Sequence, residues 1–376
     1  MLNNKYIKRI YNKNIFFNMD IKSNCIENIN NTSSENINNT NNTNNTNNTN
    51  NTNSDIIEPI VENIKKENIK KLVLSGGGLL GISYIGLFKY LEEHNINKQI
   101  TSILGCSAGA IFGTFFAIGY TSLELQIIIK NTKFKDYINI TGESILNFMK
   151  LKGLESGKNL INFIKQTIKD KTNNENITFK QILDTYKIDL KIGVTNLTLS
   201  EFEIFDSYKT PNVSIYQAIQ ASIAIPFIFE PVIINKQIYC DGGVLDNLPL
   251  DHLMNIDNYI TDNNKLQNNI TTDTHKHKHT HVKDTLGIYL LNKFTTLNYD
   301  NYQQLSLSHY FNALMHAFCK SYISNKINTK TNHNHTIIIY EIPCDIMTFL
   351  KLSASHDDID NIINIAYTIT KDKLSI

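Results

Sequence analysis

Three glycine-bearing turns hold the residues whose types and spacing could do chemistry. The first is Ser75-Gly76-Gly77-Gly78-Leu79-Leu80-Gly81. Consecutive glycines have no side chains to cover their N–H groups, and a helix is predicted to open directly after them. Free amides and the positive end of a helix dipole then point the same way. Such a loop suits an anion, either a phosphate or the oxyanion of an acyl-transfer intermediate. A dinucleotide site wants an acidic residue at the end of the second strand, about 20 residues on. Here Glu92 and Glu93 fall in predicted helix and the second strand runs into Gly105, which counts against a nucleotide.

The second turn, Gly105-Cys106-Ser107-Ala108-Gly109, places a serine between a predicted strand and a predicted helix. A turn sharp enough to lift the hydroxyl off a sheet strains its backbone, and small neighbours permit that strain. Ser107 is the candidate nucleophile; Cys106 is expected to point away and to serve packing. The third turn is Asp241-Gly242-Gly243. A serine hydroxyl needs a base to take its proton, and Asp241 could be that base. Asp-Gly is also an ordinary turn signal, so its weight comes from the other two motifs.

Strands and helices in alternation must position these turns. Strands are predicted at 71–75, 100–104, 190–195, 202–205, 238–240, 286–291 and 336–342. Helices are predicted at 82–93, 108–120, 122–133, 159–169, 179–186, 214–221, 305–324 and 357–370. Continuous apolar strands between amphipathic helices predict an α/β fold, a mostly parallel central sheet with helices on both faces.

The 376 residues carry 36 Lys+Arg against 35 Asp+Glu, a balance that excludes a chain built throughout to neutralise nucleic acid. Five cysteines cannot form a dense disulfide framework and suit an intracellular compartment. No stretch reaches the length of a membrane helix, and the N-terminus lacks the apolar core of a secretory signal. The chain is therefore expected in the cytoplasm or peripheral to membranes. Residues 1–66 read as a disordered Asn/Thr-rich tail with little to bury. Residues 69–260 read as the catalytic core, 261–283 as a low-complexity loop insertion, and 284–376 as strands and helices completing the same domain. The insertion carries His275, His277, His279 and His281 at alternate positions. They could share a face toward a metal, but nothing completes a closed site, and a solvated loop is the expectation. Calcium would need clustered carboxylates, which are not found, so no metal and no cofactor is expected.

Taken together, the motifs resemble the patatin-like phospholipase family. The resemblance rests on Gly76–Gly81, on Gly105–Gly109, on Asp241-Gly242-Gly243, on Ala221-Ser222-Ile223-Ala224-Ile225-Pro226-Phe227-Ile228-Phe229-Glu230-Pro231, and on Asp246-Asn247-Leu248-Pro249. It covers about residues 72–250 firmly. It implies a three-layer patatin-like fold and a Ser-Asp dyad without a catalytic histidine. Ser107 would attack an ester carbonyl and Asp241 would accept its proton. The N–H groups of Gly76, Gly77 and Gly78 would form the oxyanion hole, and an acyl-Ser107 ester would then be hydrolysed. The implied activity is that of a phospholipase A-type lipid acyl hydrolase. Its partners would be a phospholipid or other acyl-ester lipid and, transiently, a membrane surface. The family often carries Arg or Lys where this chain has Leu80. The alternatives are a Ser-Asp-His esterase, for which His356 is the reasonable histidine and His316 lies within a predicted helix, or a silent lipid- or nucleotide-binding scaffold.

Overall fold

The computed structural model describes residues 65–133, 142–253, 284–292, 307–328, 335–342 and 355–374. The expected tail, apart from Lys65 and Lys66, and the histidine-bearing insertion lie outside these residues.

Strand β1 (Lys71–Leu74) enters a 3-10 turn over Gly78–Ile82 and then α1 (Ser83–Glu93). β2 (Ser102–Cys106) bends at Ser107 into α2 (Ala108–Ala117), with α3 (Ser122–Asn131) and α4 (Gly142–Leu151) after it. β3 (Gly153–Glu155), α5 (Lys158–Thr172) and α6 (Phe179–Tyr186) precede β4 (Asp189–Asn196) and β5 (Glu201–Phe205). Next come α7 (Ile215–Ser222), β6 (Phe227–Phe229), β7 (Val232–Ile234) and β8 (Gln237–Asp241). β9 (Thr285–Asn292), α8 (Leu307–Asn328), β10 (His335–Ile342) and α9 (His356–Leu374) complete the described elements.

Among the described residues an eight-stranded sheet runs β10-β9-β1-β2-β4-β8-β7, with β5 also paired to β4. Neighbours from β10 to β4 are parallel. β8 is antiparallel to both β4 and β7. The class is the expected α/β with a mostly parallel sheet. Side chains alternate between faces along each strand. Leu72 and Leu74 join one buried cluster with α1, α2, α7 and α9, whereas Val73 joins the other with Tyr289, Leu291 and Ile323 of α8. Helices thus cover both faces, the three-layer arrangement that a sheet of apolar strands requires.

Two expectations shift. β2 begins two residues later than predicted and runs through Gly105 to Cys106, because its parallel register pairs Ser102 with Lys71 and Cys106 with Gly193. A glycine lowers strand propensity, but here a Cβ at Gly105 would lie 2.3 Å from the Gly109 carbonyl oxygen, so only glycine fits. The α-helix after the glycine loop begins at Ser83, behind the 3-10 turn, so no full helix end faces the loop directly.

Candidate active site

Ser107 sits between β2 and α2 with φ 51° and ψ −121°, in a backbone region that L-residues avoid. Two contacts hold the strained turn. Its N–H donates to Ser222 Oγ at 2.8 Å, and the Ser222 hydroxyl in turn donates to the Gly193 carbonyl at 2.7 Å. Gly109 lies so close to β1 that a Cβ would fall 2.2 Å from the Leu74 carbonyl oxygen. The small residues of the elbow are thus required by close backbone approach as well as by φ.

Asp241 reaches Ser107 by a route the chain order conceals. β5 occupies one edge of β4, pairing from Ile192 to Asn196. The opposite edge is shared: β2 pairs with Asp189–Gly193, and β8 takes over at Val194–Asn196. β8 runs antiparallel, so β2 and β8 meet end to end, Cys106 opposite Gly193 and Asp241 opposite Val194. Asp241 ends β8 as Leu74 ends β1 and Cys106 ends β2, but the β7–β8 hairpin brings this strand end in from the opposite direction.

Burial raises the Asp241 pKa from 3.8 to about 6, while hydrogen bonding from the Ser107 side chain and from Gly243 N–H pulls it back. The Gly243 N–H donates to Oδ1 at 2.7 Å. Oδ2 is buried and has no partner in hydrogen-bond geometry among the described residues, while the Ser107 hydroxyl lies near enough to pull the carboxyl's pKa down. Both residues are 6% exposed. Neither of Asp241's polar partners is a histidine. His356 Nε2 instead meets the Lys130 carbonyl at 2.9 Å, tying α9 to the end of α3.

Beside the pair lies the glycine loop. A Cβ at Gly76 would fall 2.8 Å from Ser107 Cβ. The loop is hung from β9 and α1: Leu290 N–H donates to Ser75 Oγ at 2.9 Å, and the Tyr84 hydroxyl donates to the Ser75 carbonyl at 2.6 Å. Gly76 corrects an expectation. Its N–H donates to Asn247 Oδ1 at 2.9 Å, so it is not open to an oxyanion. The N–H groups of Gly77 and Gly78 donate to no acceptor among the described residues. Cys106 is buried, and desolvation first, then the Asp241 charge, pushes its thiol well above the usual range, which keeps it protonated and unreactive.

Gly81, Gly242 and Gly243 are structural. Gly81 packs on Ala108 and Phe112, Gly242 on the Gly193 carbonyl, and Gly243 on Asn247 and Asp241. Among the described residues no group of three His, Cys, Asp or Glu side chains could hold a metal ion. Two residues had no role in the sequence reading. Ser222 and Asn247 lie in recognised motif segments, but their partners are 115 and 171 positions away. A serine at the second position of the otherwise apolar run Ala221 to Phe229 was the available signal for the first.

Residues 72–254 match the family model described as patatin-like phospholipase. An uncharacterized protein of Acanthamoeba polyphaga mimivirus is 34% identical over 190 residues, covering 50% of this chain and 63% of that protein. A probable lipid hydrolase of Invertebrate iridescent virus 6 is 31% identical over 195 residues, covering 51% of this chain and 66% of that protein. A lysophospholipase of Kluyveromyces lactis is 26% identical over 183 residues, 48% of this chain and 11% of its own. The chain thus spans just under two thirds of the viral relatives and a small part of the yeast one. The crystal structure of VipD from Legionella pneumophila aligns over 82% of this chain and 67% of its own, with a TM-score of 0.45 and 20% identity.

Proposed function

From the premise that residues 72–254 form a patatin-like phospholipase domain, we propose that the chain is a carboxylic ester hydrolase acting on lipids. Ser107 is its nucleophile and Asp241 its base. Ser107 Oγ adds to the ester carbonyl as its proton passes to Asp241. The carbonyl oxygen, now negative, takes hydrogen bonds from Gly77 and Gly78 N–H. Asp241 returns the proton to the departing alcohol, leaving an acyl-Ser107 ester. Water then attacks that ester with Asp241 again as base, releasing the fatty acid and restoring the serine. One observation carries this reading: β2 and β8 meet end to end on β4 and set the strained Ser107 beside the buried Asp241 carboxyl, which burial makes basic enough to take a proton while leaving it ionised at neutral pH.

The lipid class is supported by the names of the relatives and by the surface around the site. Val244 and Leu245 follow the third motif directly and are 50% and 48% exposed. Phe227, 70% exposed, follows the segment whose Ala224 carbonyl accepts the Asp241 N–H, and it packs on Phe148 of α4. Leu146 and Met149 of α4 are more exposed still. Such side chains suit transient contact with a phospholipid surface. Among the described residues no helix is long and apolar enough to cross a membrane. The described elements before and after residues 254–283 act as one catalytic body, since β9 pairs directly with β1.

The test is a serine-directed fluorophosphonate probe on wild type and Ser107→Ala, paired with fatty-acid release from phosphatidylcholine vesicles. Wild type should label and release fatty acid, and the variant should do neither. Absent labelling, or labelling that survives the substitution, overturns the assignment.

A further inference from the structure

Asn247 stands where the three motifs meet. Its Oδ1 accepts the Gly76 N–H at 2.9 Å, and its Nδ2 donates to the Gly76 carbonyl at 3.3 Å. One carboxamide thereby holds both backbone groups of Gly76, the residue preceding the two unpaired amides. The same Oδ1 lies close to Gly243, where a Cβ would meet it at 2.8 Å and Asp241 Oδ1 at 3.0 Å. Asn247 therefore sets the spacing between the glycine loop and the turn that carries Asp241.

Its own position is fixed from outside residues 72–254. On α8, the Tyr322 hydroxyl binds Asp246 Oδ1 and accepts the Leu248 N–H at 3.0 Å, gripping the residues on either side of Asn247. Lys326, one turn further along, pairs with Asp246 at 3.2 Å and with Asp251 at 2.9 Å. The Tyr322 ring stacks on Tyr289 of β9 at 5.9 Å, and the Tyr289 hydroxyl also interacts with the Asn247 side chain. His252, 3.8 Å from Asp246 Oδ2, completes the ring of polar groups around that carboxylate.

We propose that Asn247 is a positioning residue that aims the Gly77 and Gly78 amides at the reacting carbonyl, and that α8 holds it there through the Tyr322–Asp246–Lys326 bracket. The inference rests on the roles given above to Ser107 and the glycine loop. Displacing a donor or reacting group by about 1 Å can cost roughly 100-fold in rate. Loss of the bracket should thus lower kcat while leaving substrate binding in place.

The experiment compares wild type, Asn247→Ala, Asn247→Asp and Tyr322→Phe in two ways. Kinetics on a soluble short-chain p-nitrophenyl ester should show kcat down about 10- to 100-fold in Asn247→Ala, with KM within about twofold. Tyr322→Phe should move the same way by a smaller factor. Asn247→Asp keeps the acceptor for Gly76 but loses the donor to the Gly76 carbonyl and sets a second carboxylate near Asp241, so kcat should fall as in Asn247→Ala and its acid limb should move to higher pH. Hydrogen exchange over residues 75–82 gives a readout free of activity: it should quicken in Asn247→Ala and Tyr322→Phe while β4 stays protected. Wild-type kcat in Asn247→Ala, a loss confined to KM, or unchanged exchange over 75–82 overturns the proposal. Wild type that neither labels with fluorophosphonate nor turns over ester defeats the functional reading, and exchange then still decides whether Asn247 and α8 order the loop.

Discussion

Asp241→Asn should inactivate the protein and at the same time stabilise it, by an amount that depends on pH. The folded chain holds this carboxyl at a pKa of about 6 against 3.8 for a free aspartate side chain, because burial penalises the charged form more than Ser107 and Gly243 relieve it. Between those values the folded state binds more protons than the unfolded state, so each step up in pH costs stability. Below 3.8 both states are protonated and the penalty is absent; above about 6 it is complete and constant. A pKa unit is worth about 1.4 kcal/mol, so the gap corresponds to roughly 3 kcal/mol at neutral pH. Asparagine keeps the shape and can still accept the Gly243 N–H, but carries no charge to desolvate. Urea unfolding of both proteins at half-unit intervals from pH 4 to 8 should show Asp241→Asn gaining up to roughly 3 kcal/mol, most of it between pH 4 and 6.5. Wild-type activity should fall with an acid limb near pH 6 over the same range. A stability difference that is flat across pH, or that favours wild type more as pH rises, would refute the idea that a buried anion is held at a cost in this site.

Ser222→Ala should remove the acceptor for Ser107 N–H and the donor to Gly193, costing about 1–3 kcal/mol in urea unfolding and lowering kcat more than it raises KM. Gly109→Ala should abolish fluorophosphonate labelling of Ser107 and lower the melting temperature, because the new Cβ would sit 2.2 Å from a β1 carbonyl oxygen that cannot yield. His356→Ala should keep most esterase activity and cost only the exposed contact to Lys130; a loss as large as that of Ser107→Ala would restore a histidine-dependent triad.

Local features were legible in the residues themselves. Gly105 to Gly109 between an apolar strand and an apolar helix announces an elbow, because the backbone strain and the small residues that allow it are neighbours in the chain. The unbroken apolar run Leu72-Val73-Leu74 predicts a strand buried on both faces, and the two core clusters bear this out. Resemblance added the pairing of Ser107 with Asp241, which no local pattern contains.

The tertiary structure decided what depends on register between distant segments. That β8 runs head-on toward β2 along one edge of β4 follows from a hairpin and a sheet pairing, and periodicity carries no strand direction. That the Gly76 amide is already bonded, which leaves Gly77 and Gly78 as the proposed oxyanion donors, follows from a side chain 171 positions on. That α8 braces the site through Tyr322 follows from a contact spanning 76 positions. The chain specifies backbone shape through interactions a few residues long. Which polar group meets which across the sheet is fixed only when packing of both faces sets the strands in register, and there the chemistry of this site was completed.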